Sequence, residues 1–147
     1  MPLEPQVVWM PGGVRTEIHL RQEDTAGRFC LLVDEPPRGW SMPAHLHRGV
    51  AETIHIVEGD FEMRIGESES RLSAGQSAHI PADIVHSGGN LGGASGRRIL
   101  IFSPAGMERF FLEAGAPAAG QEVDGGAALA AATRHGWEFV TQPRTTN

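Results

Sequence analysis

From Val14 to Phe102 the chain alternates short β-prone runs with turns rich in Gly, Pro, Asp or Ser, the pattern of strands joined by tight connections. The predicted strands are Val14–Arg21, Arg28–Glu35, Ser41–His47, Thr53–Glu58, Phe61–Gly66, Ser77–Ile80, His86–Asn90 and Arg97–Phe102. Short strands this closely spaced, with no helical run between them, predict an all-β sandwich or barrel of antiparallel strands. A parallel βαβ arrangement has no room for its crossover helices. Two of the runs flank Gly59-Asp60, which reads as a tight hairpin. Along its second arm Phe61, Met63 and Ile65 alternate with Glu62 and Arg64, placing the apolar trio on one face.

After Phe102 the period changes. Pro104 can open a helix, and Met107, Phe110, Phe111 and Ala114 recur at helical spacing up to a stop at Gly115. A second helix is predicted from Gly126 to Arg134, followed by Trp137-Glu138-Phe139-Val140, with Ala114 to Gly125 as a surface linker. The aromatic stripe Phe110, Phe111, Trp137 and Phe139 is expected to serve core or dimer packing rather than a ligand. Residues 1–13, broken by Pro2, Pro5 and Pro11, read as an N-terminal arm. The expected organisation is thus an arm (1–13), a β-barrel (14–103) and a helical extension with a tail (104–147).

A length of 147 residues suits one domain, and 19 Gly and 10 Pro agree with many turns. A net charge of −6 gives no electrostatic reason to expect nucleic acid or an anionic membrane as partner. The adjacent pair Arg97-Arg98 reads as a solvated strand end. With Cys30 as the single cysteine, an intrachain disulfide and a Cys-based zinc site are excluded. Its apolar setting, Phe29-Cys30-Leu31-Leu32-Val33, predicts a buried, inert thiol. Neither a signal-peptide pattern nor an apolar stretch of membrane-spanning length is visible, so a cytoplasmic location is the expectation.

The candidate chemistry lies in four residues. His45 and His47, two apart in a strand, project their imidazoles from the same face. Glu52 begins the next strand after the Arg48-Gly49-Val50-Ala51 turn, and can stand beside the pair if the two strands are neighbours. His86 follows the turn at Pro81-Ala82-Asp83 and needs a third adjacent strand. Together they would form a three-nitrogen, one-oxygen set suited to one divalent transition metal (Fe, Ni, Mn, Zn, Co or Cu) rather than to Ca(II) or Mg(II).

The wider spacing is Gly39, five residues, His45, one, His47, four, Glu52, six, Gly59, and then Gly75, five, Pro81, four, His86, three, Asn90. In both segments the chain resembles the two signature motifs of the cupin superfamily. The resemblance implies a small antiparallel double-stranded β-helix, or jelly-roll, barrel with short C-terminal helices. It also implies a metal held by His45, His47, Glu52 and His86. Asp83 stands where the second motif usually has Gly, and Asp tolerates left-handed geometry. His55 replaces a frequent aromatic and by parity points to the outer face, while His19 and His135 lie outside the motifs.

The stretch from Ile99 to Phe111 resembles the tail of single-domain cupins described as quercetin dioxygenase-like. This implies a metal-dependent dioxygenase acting on a small aromatic or enolisable compound, with Glu52 as the catalytic residue that takes a substrate hydroxyl proton. Met42, Ile54, Ile56, Met63 and Ile65 would form the substrate pocket, with His79 as a substrate-binding, supporting or merely buried group. A lyase, cyclase or isomerase using the ion as Lewis acid, or a non-catalytic ligand-binding cupin, are the alternatives. A homodimer is expected, to cover outward apolar residues.

Overall fold

The computed structural model describes residues 4–141. In chain order its strands are β1 (Gln6–Met10), β2 (Val14–Leu20), β3 (Cys30–Glu35), β4 (Ser41–His47), β5 (Ala51–Glu58) and β6 (Asp60–Ile65). They continue with β7 (Ser68–Ser73), β8 (Ser77–Ile80), β9 (His86–Asn90) and β10 (Arg97–Ser103). Helices α1 (Glu108–Ala114) and α2 (Gly125–Arg134) then precede β11 (Trp137–Phe139).

The strands form two antiparallel sheets, β1-β2-β3-β10-β5-β8 and β11-β4-β9-β6-β7. Their inner faces enclose the core. Phe61, Phe102, Leu32, Ile56 and Ile80 are each less than 2 % exposed, and full burial of a side chain this size stabilises the fold by about 1.5–3 kcal/mol. Along β5, Glu52, Ile54 and Ile56 are buried, and along β10 Arg98, Leu100 and Phe102 are buried, so inward residues follow the two-residue period of a strand.

The fold is the all-β antiparallel barrel the alternation predicts, with four local differences. Gly59-Asp60 does not make a hairpin: β5 and β6 lie in different sheets, and the chain crosses between them there. Gly59 sits at φ 108°, and a Cβ at that position would stand 3.1 Å from the Gly96 Cα and 3.2 Å from the Phe61 ring. The real hairpin is β6–β7, paired from Asp60↔Ser73 to Ile65↔Ser68. The residues read as an arm contain β1, which pairs with β2 along its whole length.

Helix α1 begins at Glu108, four residues after Pro104, and Glu108 itself turns inward. It is 2 % exposed, and its carboxylate accepts hydrogen bonds from the backbone N–H groups of Gln22 and Gly106. The fourth difference is Arg98, which is 6 % exposed and paired to Asp34 across β10 and β3 rather than solvated. Cys30 is buried as expected, and burial, together with Glu108, pushes its thiol up to about 12. Among the described residues no helix is long and apolar enough to cross a membrane.

Candidate metal centre

Strands β4 and β9 are neighbours, and their register sets His45 directly opposite His86. His45 and His47 share a face of β4, so three imidazoles converge, with ring centroids 4.2 to 5.1 Å apart. Each offers a nitrogen within 4.8 Å of the others, and all three are buried. Glu52 arrives by a different route from the one expected. β5 is not a neighbour of β4 but belongs to the facing sheet, and the carboxylate reaches across the interior to place Oε1 3.4 Å from Nε2 of both His47 and His86.

The turn that leads into β9 is fixed by Asp83. It adopts φ 67°, donates its N–H to the His47 carbonyl at 3.1 Å, and accepts the Gly49 N–H on Oδ1 at 3.0 Å. Asp can replace Gly in this motif because it tolerates the left-handed region and supplies a bond Gly cannot. The same residue thereby ties the β9 histidine to the β4 pair.

Hydrogen bonding selects the tautomers. His45 donates Nδ1–H to the Pro43 carbonyl at 2.8 Å, and His86 donates Nδ1–H to the Ile84 carbonyl at 3.0 Å. Since a carbonyl only accepts, Nδ1 carries a proton in both rings and Nε2 is the nitrogen turned to the interior. Among the described residues His86 Nε2 and His47 Nδ1 are buried without a hydrogen-bond partner. Buried nitrogens of this kind are costly unless something outside the chain's own atoms binds them.

Charge favours the same reading. Burial and the neighbouring His86 lower the His45 pKa to about 4, against the carbonyl of Pro43, so the ring is neutral at ordinary pH. Burial alone would raise the Glu52 pKa, but the contacts with His47 and His86 outweigh it and hold the carboxyl well below its usual range. A neutral His45 imidazole and an ionised Glu52 carboxylate, grouped with two further imidazoles, are donors that could hold a divalent transition metal.

The centre opens into a cavity of about 760 Å³. Of the six residues expected to line it, Met42, Ile54 and Met63 do. Ile56 points inward but is sealed in the core, Ile65 packs at the core's margin, and neither reaches the cavity. His79 is exposed on the outside of the sheet, where its Nδ1 bonds the Thr53 hydroxyl at 2.9 Å. Its partner Thr53 lies between inward Glu52 and Ile54, so the period of β5 already assigns both to the outer face. His55 is also on that outer side and meets the Ser77 hydroxyl at 2.7 Å.

The aromatic stripe is not reserved for packing: Phe110, Phe111, Trp137 and Phe139 all line the cavity. β11 pairs with β4, setting Trp137 opposite His47 and Phe139 opposite His45. The Trp137 ring stacks on His45 at 4.7 Å and meets His47 edge-on at 4.5 Å, while its Nε1–H donates to Met107 Sδ at 3.1 Å. Trp137 therefore clamps both β4 imidazoles from the side. The sequence signal was its position after a helix stop, which does not reveal a pairing partner ninety residues earlier.

Residues 31–102 match the family described as Cupin domain. The barrel is a cupin. Quercetin 2,3-dioxygenase from Bacillus subtilis (strain 168) is 31% identical over 96 residues, which are 65% of this chain; the matched part spans 28% of that enzyme's length. Among solved structures, a predicted oxalate decarboxylase from Thermotoga maritima superposes with a TM-score of 0.62 at 20% identity, covering 69% of this chain and 93% of the other. The polyketide cyclase RemF from Streptomyces resistomycificus gives 0.56 at 21%, covering 69% and 73%. The cupin likeness and the three-histidine cluster agree on a site that could bind metal.

Proposed function

We propose that this cupin is a metal-dependent dioxygenase-like enzyme acting on a small aromatic or enolisable compound, with His45, His47, His86 and Glu52 as its metal ligands. The observation that carries the reading is the convergence of unpartnered imidazole nitrogens beside Glu52 at one end of an apolar, aromatic-lined cavity. The likeness to quercetin 2,3-dioxygenase, although confined to part of that protein, supports the choice of chemistry.

A divalent transition ion held there would supply a Lewis acid with open positions for substrate oxygen. The chain's own residues do the rest. Glu52, ionised in the free site, would accept the hydrogen of a substrate hydroxyl, and its basicity would rise as the entering group displaces its contacts with His47 and His86. Met42, Ile54 and Met63 with the aromatic residues exclude water and suit a planar ring. Trp137 and the Pro43 and Ile84 carbonyls hold the imidazoles so that Glu52 meets substrate in one geometry.

The test is oxygen uptake by metal-analysed protein with a flavonol such as quercetin. Uptake that disappears in Glu52→Gln and His86→Ala supports the proposal. Turnover of the same compound under strict anaerobiosis would assign the site to a non-redox lyase, cyclase or isomerase, and saturable binding without product to a ligand-binding cupin. The proposal includes a homodimer, since Val57, Ile84 and Leu91 are exposed apolar residues on the barrel. Gel filtration is expected near twice the 15.8 kDa chain mass, and elution at the mass of a single chain would remove the dimer.

A further inference from the structure

A second polar centre faces the same cavity. Arg98 on β10 and Asp34 on β3 are register partners, 6 % and 3 % exposed. Arg98 Nε donates to Oδ1 at 2.9 Å and Nη2 to Oδ2 at 2.7 Å, so the pair is bidentate and both carboxylate oxygens are engaged. The guanidinium carbon lies 4.7 Å from the Trp40 ring and 5.3 Å from that of Phe61. Burial alone would lower the guanidinium pKa, but Asp34 more than offsets this, so the charge persists.

This side chain is held on one edge and free on the other. Among the described residues Nη1 has no acceptor, and Arg98, Asp34 and Trp40 all border the cavity. A buried ion pair is a weak source of stability compared with apolar packing, so the fold gives little reason for a fixed guanidinium with an unused edge at this place. A ligand does.

The register locates it relative to the metal centre. β10 sets Phe102 opposite Glu52, Leu100 opposite Ile54 and Arg98 opposite Ile56. Arg98 therefore sits four residues along the strand from the Glu52 row, about 13 Å of backbone. Leu100 and Ile54 line the wall between. The cavity has nitrogen and carboxylate donors at one end, an apolar middle, and a guanidinium edge at the other.

The unused guanidinium edge calls for an oxygen acceptor, and a carboxylate meets it with charge-assisted hydrogen bonds while its ring lies along the apolar wall. We infer that Arg98 is a ligand-anchoring residue, and that the molecule accepted here is a small aromatic acid whose carboxylate lies at the end away from His45, His47 and His86. The inference rests on the proposed function only for its choice of this cavity as the substrate site.

The experiment is calorimetric titration at pH 8 with 3-phenylpropionate and 3-phenyl-1-propanol, which share ring and chain length and differ in the carboxylate. Metal-free protein is used first, so that the acid cannot be held by an ion. The acid is expected to bind at least tenfold more tightly than the alcohol, and Arg98→Lys, which keeps a charge beside Asp34 but loses the Nη1 edge, is expected to abolish the difference. Equal binding of the two probes, or a preference retained in Arg98→Lys, would overturn the assignment.

Should that variant fail to fold, the wild type decides. The Arg98 side-chain ¹⁵N resonances should shift with the acid and stay in place with the alcohol, and no shift overturns the inference. Zinc-loaded protein and 3-(3,4-dihydroxyphenyl)propionate complete the design: tighter binding of this catechol acid on loading supports both centres. A preference for the acid with no zinc binding leaves Arg98 standing and sinks the metal reading instead.

Discussion

Strand β9 carries two buried polar side chains four residues apart, and the fold treats them in opposite ways. Asn90 is saturated: its Nδ2 reaches the carbonyls of Pro36, Pro37 and Ala94 at 3.0 to 3.2 Å, and its Oδ1 accepts the Gly92 N–H at 2.8 Å. His86 is half satisfied, with Nδ1 bonded to Ile84 and Nε2 left without a partner. One residue knots loops to the sheet; the other keeps a nitrogen unpartnered. Within one strand, one polar group is used up by the fold, and the other, left unpartnered, costs about 1–3 kcal/mol of desolvation until something binds it.

Metal loading should give the largest effect. At an ion concentration a thousandfold above Kd, binding to the native state adds about 4 kcal/mol of stability, to be read as a rise in Tm for wild type. No rise with Zn(II), Ni(II), Mn(II) or Co(II) would erase the distinction between the two residues. His86→Ala should next lower metal affinity by on the order of 100-fold, at the upper end of what loss of even an outer-shell partner causes. Without metal it should cost under about 1 kcal/mol, because the truncation also removes an unpaired nitrogen.

Asn90→Ala should show the reverse: about 2 kcal/mol of lost stability by denaturant titration, with metal stoichiometry intact. Glu17 gives a smaller and pH-dependent case of saturation. Burial would raise its pKa, but Arg15, His19 and Arg97 hold it at about 2, against an ordinary 4.5. A depressed carboxyl stabilises fully above pH 4.5, and that contribution is lost as pH falls towards 2. Arg15 and Arg97 are about a third exposed, so Glu17→Gln should cost only about 1 kcal/mol at pH 7. The gap from wild type should close on acidification, and a constant gap would show that Glu17 acts through packing.

How far these roles could be read from residues alone depends on whether the signal is local. His45 and His47 were legible because a two-residue period is enough to put them on one face. Glu52 and His86 needed the motif spacing, since the contact of β4 with β9, and of β5 across the sandwich, spans residues far apart in sequence. β7 was invisible because its sequence, Ser68-Glu69-Ser70-Arg71-Leu72-Ser73, buries Leu72 and exposes the rest, giving the alternation a single apolar point. β1 was hidden by its flanking prolines, which mark the ends of a short strand as well as those of an arm. The Gly59 crossing fails as a hairpin for a further reason: two runs joined by Gly-Asp look alike whether the second pairs with the first or leaves for the other sheet. Arg98 was misread because its neighbour Arg97 does face outward to Glu35 and Glu17, and a dipeptide cannot show that its two members take opposite faces.

The pairing of β11 with β4 makes the wall of the centre separable from its donors. The strand that carries His45 and His47 has its open side closed by a segment some ninety residues further on, across two helices. Without that segment both imidazoles would lie at a bare sheet margin, lacking the indole that stacks on His45 and meets His47 edge-on. A chain truncated before Trp137 should carry every proposed ligand yet bind metal as an open, exchangeable site.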